Sequence, residues 1–117
     1  TATDVAKLLD SLDPQSPSGH VISSKYMELM KVPATPVPVG PLWDYGLGLR
    51  LFVSGEWGHS GSIENVHSMV IHRPDGLTVS VLVNGTKPKE TDDLIGAIND
   101  AVLAARTGIP ATTTIAP

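Results

Sequence analysis

Residues Tyr45 to Gly85 read YGLGLRLFVSGEWGHSGSIENVHSMVIHRPDGLTVSVLVNG, and this stretch decides the fold. Its period is two. Leu47, Leu49, Leu51 and Val53 alternate with Gly48, Arg50, Phe52 and Ser54, which predicts a strand with one buried face. Ser54-Gly55-Glu56 then makes a turn. A second strand region runs from about 59 to 72, irregular at its start and regular through Val66-His67-Ser68-Met69-Val70-Ile71. Arg73-Pro74-Asp75-Gly76 is a tight turn, because proline presets φ at its second position and glycine accepts the fourth. The third strand, Leu77 to Val83, sets Leu77, Val79, Val81 and Val83 against Thr78, Ser80 and Leu82. Short links between successive strands imply a three-stranded antiparallel meander.

Working outward, helices flank the strands. Val5, Leu8, Leu9 and Leu12 form an apolar stripe that predicts a short helix over 4–12. Thr1 and Asp4 have the spacing of a capping box, and Asp13-Pro14 ends the helix. Pro14 to Gly19 is a loop. A second helix is expected at about 24–31, with Ser23 as N-cap and Ile22 stapled to Met27. Val32-Pro33 stops it. Residues 33–41 hold four prolines and form an extended connector, with few donors for a sheet. Residues 91–106 predict the most regular helix. Thr91 caps it, Asp92 and Asp93 complement its dipole, and Leu94, Ile98, Ala101, Val102 and Ala105 share a face. Arg106, Gly108 and Pro110 give the stop signal.

The expected class is α+β: two short helices, a three-stranded meander and a C-terminal helix packed on the sheet. The expected organisation is a helical lead-in and Pro-rich connector over 1–41, the sheet with its helix over 42–108, and a flexible tail over 109–117. Both faces of the middle strand are apolar or small (Val66, Met69, Val70, Ile71). This predicts a further covering layer: the rest of a longer chain, or a second copy joined through an exposed sheet face or edge.

Composition narrows the function. The 117 residues carry 8 basic and 12 acidic side chains, a formal charge of −4, which disfavours nucleic acid and anionic membranes as partners. There is no cysteine, so disulfides, thiol nucleophiles and Cys-ligated metals are excluded. At 41% apolar the composition fits a soluble globular domain, and no apolar run reaches the roughly 18 residues of a membrane span. The absence of an initiator Met and of a basic-then-apolar leader reads as an excerpt from a longer protein.

The chemistry-bearing residues concentrate in Glu56-Trp57-Gly58-His59-Ser60-Gly61-Ser62. Gly58 and Gly61 let a ligand approach the backbone, His59 can donate a hydrogen bond or carry a proton, and the Ser62 N–H can face an oxyanion. The bland alternative is a turn at a strand start. His67 and His72 are five apart on one strand, which puts them on opposite faces and argues against a metal site. A triad of His59 with Ser60 or Ser62 and Asp44 or Asp75 meets the same obstacle, since neighbours on a strand face opposite ways. Neither a GxSxG elbow nor a Walker loop is present, and Tyr45-Gly46-Leu47-Gly48-Leu49 lacks the third glycine of a dinucleotide site. No cofactor is expected.

The order YGLGL, strand, GHSGS, strand ending in RPDG, strand ending in VLVNG resembles the C-terminal third of the penicillin-recognising serine hydrolases. That group includes class C β-lactamases, D-Ala-D-Ala carboxypeptidases and related esterases. TATDVAKLLDSL, ISSKYMELMK and the helix at 91–106 are similar to helices of the same region, so the resemblance covers the chain up to about Arg106. It implies a β-lactamase/transpeptidase-like fold, a small acyl substrate and an extracytoplasmic location. Of the group's three site motifs only the third is present, as His59-Ser60-Gly61. By that match His59 binds or bridges the substrate, Ser60 adds a hydroxyl and the Ser62 N–H is one oxyanion donor. Tyr45, Glu64 and Asn65 line the groove. The Ser-x-x-Lys motif is missing: Ser11, Ser16, Ser18, Ser23 and Ser24 lack Lys three positions on. Tyr26 and Tyr45 lack Asn two positions on. The sequence also departs from the group after its motif, with Ser62-Ile63-Glu64-Asn65-Val66 in place of a glycine- and aromatic-containing run. Glu64 disfavours an anionic penicillin and points to an ester or peptide. Acyl-enzyme chemistry therefore needs residues beyond these. The alternative is a non-catalytic binding or scaffold module of the same fold.

Overall fold

The computed structural model describes residues 1–36, 39–85 and 91–108. The class is α+β. In chain order the elements are α1 (Ala2–Asp10), α2 (Ser24–Met30), β1 (Trp43–Tyr45), β2 (Arg50–Phe52), β3 (Trp57–Ile63), β4 (Val66–His72), β5 (Thr78–Asn84) and α3 (Thr91–Thr107). The strands form one sheet in sequence order, β1-β2-β3-β4-β5.

The sheet has five strands where the alternation predicted three. The expected first strand is a hairpin and a turn. Tyr45 pairs with Arg50, the Gly46 N–H donates to the Leu49 carbonyl at 2.8 Å, and Gly48 turns the chain at φ +76°. Leu47 and Val53 fall on the two turns and are 60% and 77% exposed. Apolar alternation continued through the first reversal and hid it, whereas the turn expected at Ser54-Gly55-Glu56 is present, with the Gly55 N–H donating to the Phe52 carbonyl at 2.9 Å. The expected second strand divides at Glu64-Asn65. Asn65 takes φ 58°, a left-handed conformation that asparagine tolerates better than most residues. The third expected strand is β5, shifted by one residue.

The helices fall within two residues of expectation. The capping box is present: Thr1 Oγ1 accepts the Asp4 N–H at 3.2 Å, and the Asp4 carboxylate takes the N-terminal amine at 3.0 Å. Ser23 precedes α2 but makes no side-chain cap. Leu8 is exposed, so the buried stripe of α1 narrows to Leu9 with Leu12 beyond its end. On α3, Ile98 is buried and Val102 half-buried, whereas Ala101 and Ala105 face out and Ala97 and Ala104 turn partly inward. Alanine carries too little apolarity to fix a face. The side chains of the expected cap residues Thr91, Asp92 and Asp93 and of Leu94, and the tail from 109, lie outside the described set.

Two compact units are present: Thr1–His59 with Met69–Val81, and Ser60–Ser68 with the segment from Leu82 onward. The first holds the main core of Leu9, Met27, Leu49 and Trp57. Ile22, Met30, Leu51 and Val70 pack against it. Ile22 and Met27, the expected staple pair, thus belong to the same core region. Among the described residues of the second unit, Ile98 is the buried apolar side chain. No helix among the described residues is long and apolar enough to cross a membrane.

Candidate functional site

Strand β3 changes character at His59. Trp57 and Gly58 are buried, His59 is exposed, Ser60 is half-buried, and Gly61 and Ser62 are exposed. The buried start has a steric cause. A Cβ at Gly58 would run into the Val70 carbonyl oxygen, so only glycine lets β3 lie this close to β4.

In the first unit Tyr45 and His59 meet. The Tyr45 hydroxyl and His59 Nε2 are 2.5 Å apart, and the rings stand edge to face at 5.8 Å. One proton is shared between them, and the tautomer of His59 sets which group donates. Trp43 braces Tyr45 edge-on at 6.3 Å, and the Arg50 guanidinium lies 4.5 Å over the Trp43 ring. The hairpin therefore presents a fixed phenol to β3. The resemblance implied that Tyr45 and His59 share a groove; what the structure shows is that the two side chains are in contact. Asp44 and Asp75 serve other purposes. Asp44 Oδ1 accepts the Tyr45 N–H at 2.9 Å, and Asp75 pairs with Arg73 at 3.3 Å.

The second unit contains Ser60, Gly61, Ser62, Glu64 and Asn65. A Cβ at Gly61 would come within 2.9 Å of the Ser68 hydroxyl, so that hydroxyl must turn aside for any larger residue. The Ser62 hydroxyl bonds His67 Nδ1 at 2.9 Å across the β3–β4 connection. His67 is buried, and its Nε2 has no hydrogen-bond partner. Glu64 and Asn65 form the exposed connection, and the Asn65 carbonyl accepts the Gly85 N–H at 2.9 Å. Sequence reasoning weighed His67 only as a metal ligand. The signal for its true neighbour was the equal distance of 62 and 67 from a two-residue turn.

A polar network in the first unit also went unforeseen. Asp10 at the end of α1 accepts from Ser16 Oγ at 2.6 Å and from Thr78 Oγ1 at 3.1 Å. Thr78 Oγ1 lies 2.8 Å from His72 Nδ1, and His72 Nε2 lies 3.4 Å from Asp13 Oδ2. A hydroxyl has one proton. Thr78 donates its own to Asp10, so His72 Nδ1 must carry the proton of the next bond. Neutral His72 then turns a lone pair toward Asp13. Burial holds the His72 imidazole below its usual titration range against the pull of Asp13, and Lys31 adds to the lowering. The ring stacks on Trp57 at 4.6 Å, and Lys31 Nζ sits 4.5 Å from the Trp57 centroid. Burial likewise lowers the titration of Lys31 itself.

No family model, curated protein or solved structure matches the chain. The functional reading therefore stands on the residues and their geometry.

Proposed function

We propose that this chain carries the third site motif of a penicillin-recognising-type serine hydrolase, His59-Ser60-Gly61, and forms one wall of its acyl-substrate groove. The observation that supports this reading is the Tyr45–His59 hydrogen bond of 2.5 Å. The YGLGL and GHSGS segments are linked in the resemblance only by their order. Here the first residue of one touches the histidine of the other, where β3 first becomes exposed.

The parent enzyme would use a serine outside these residues. Its Oγ attacks the carbonyl carbon of an ester, peptide or lactam, a neighbouring base takes the hydroxyl proton, and the leaving group departs with a proton. Water then cleaves the acyl-enzyme. His59 and Tyr45 pass or hold a proton at Nε2 and Oη, the Ser60 hydroxyl contacts the substrate, and the Ser62 N–H faces the oxyanion. The β-lactamase/transpeptidase-like fold and the extracytoplasmic location belong to the same proposal. A binding module without turnover is the second reading, favoured by the absence of Ser-x-x-Lys from the 117 residues.

The test is acylation of the intact protein by a chromogenic ester. His59→Ala is expected to slow it roughly 100-fold, the usual scale for a positioned proton carrier, with an unchanged unfolding midpoint. Tyr45→Phe should fall between the two. Equal rates in all three proteins would remove the pair from the site.

A further inference from the structure

Apart from the groove, the first unit has a cavity of about 580 Å³, within the usual range for small-molecule sites. Ala6, Lys7, Asp10, Pro17, Leu77 and Thr78 are among its lining residues. Ala6, Pro17 and Leu77 give it an apolar floor. Its charges come from one helix face. Lys7 and Asp10 are three apart on α1, so their side chains emerge as neighbours.

Asp10 is held in place before any ligand arrives. Ser16, buried, donates to one carboxylate oxygen at 2.6 Å, and Thr78 donates to the other at 3.1 Å. Thr78 is fixed in turn by buried His72. Two of the carboxylate's roughly four lone-pair sites remain for a further donor. Asp10 also ends α1, where the helix dipole adds negative potential. A single carboxylate beside a lysine is a poor cage for a metal ion, which needs several oxygen ligands. It suits an ammonium group, with the Lys7 cation free to meet an anion one turn away.

We propose that this cavity binds a zwitterionic α-amino acid with an apolar side chain. The ammonium bonds Asp10, the carboxylate faces Lys7, and the side chain lies over Ala6, Pro17 and Leu77. An α-amino acid carries its ammonium and carboxylate on one carbon, so a single small molecule can meet the carboxylate and the ammonium that emerge as neighbours from this helix face. This site does not depend on the hydrolase reading, and either can fail alone.

Leucine is the probe, with 3-methylbutylamine (no carboxylate) and 4-methylpentanoate (no ammonium) as matched controls. Amide NMR of the 117-residue chain is followed during titration. Leucine is expected to shift Lys7, Asp10 and Thr78 saturably, with each control about tenfold weaker. Asp10→Asn should weaken leucine about tenfold. Because that change touches the buried network, exposed Lys7→Met is the second variant. It should weaken leucine while leaving 3-methylbutylamine unaffected. Absence of saturable shifts with leucine, equal affinity for leucine and the amine, or a Lys7→Met variant that binds leucine normally would overturn the proposal.

Discussion

His72 shows how a single residue couples burial to pH. Its imidazole takes a proton less readily in the folded chain than its ordinary value of 6.5, chiefly because burial penalises the charge. The unfolded chain binds that proton near the ordinary value. Between the folded titration point and 6.5 the unfolded state therefore holds more protons, and stability rises with pH. The contribution is complete above about pH 6.5 and is lost as pH falls through that window. Urea unfolding at about pH 7.5 and about pH 5.5 should show lower stability in acid. His72→Gln should flatten the difference, and an equally steep slope in the variant would assign it to other groups. None of this was legible beforehand, since the network around His72 and Thr78 is completed by Asp10 and Asp13, which lie far away in the chain. Tyr45 and His59 were legible as candidates because each sits in a distinctive local run. Their contact was not, because it depends on a hairpin that the alternation concealed.

At the scale of the element, β3 gives a contrast within one strand. Gly58→Ala places a Cβ against the backbone of Val70, which cannot swing aside. A cost of about 3 kcal/mol is expected, at the upper end for overpacking. Gly61→Ala meets only a serine hydroxyl that can rotate, so its unfolding free energy should change by less than about 0.5 kcal/mol. On the proposed reading it should still obstruct substrate at the exposed strand. Urea unfolding of both variants checks the first half of this statement, and ester turnover by the Gly61→Ala intact protein checks the second. Asn65 tests the turn. Asn65→Val should cost about 1–2 kcal/mol because a β-branched residue resists φ 58°, and Asn65→Gly should be close to neutral. The helices and β5 were readable because prolines and periodicity agree there, with the capping box of Thr1 and Asp4 adding to the signal for α1. The β1–β2 and β3–β4 reversals were not, because Leu47 continues the apolar alternation and Glu64-Asn65 lacks the usual glycine.

For the molecule as a whole, the α+β class follows from the switch of period between the flanking segments and residues 45–84. The number of strands does not, since it depends on two reversals with weak local signals. The proposed function makes a claim larger than the chain. It requires a nucleophile that these residues lack and assigns them the wall opposite it. Ser62 bears on that claim, because its hydroxyl bonds His67 and a Ser–His pair is a competing source of nucleophile. The decisive measurement is to treat the intact protein with a fluorescent penicillin and a fluorescent ester probe and map the labelled residue by mass spectrometry. The account predicts a covalent adduct on a serine of a Ser-x-x-Lys motif outside the 117 residues. An adduct on Ser60 or Ser62, or no adduct with either probe, would contradict it.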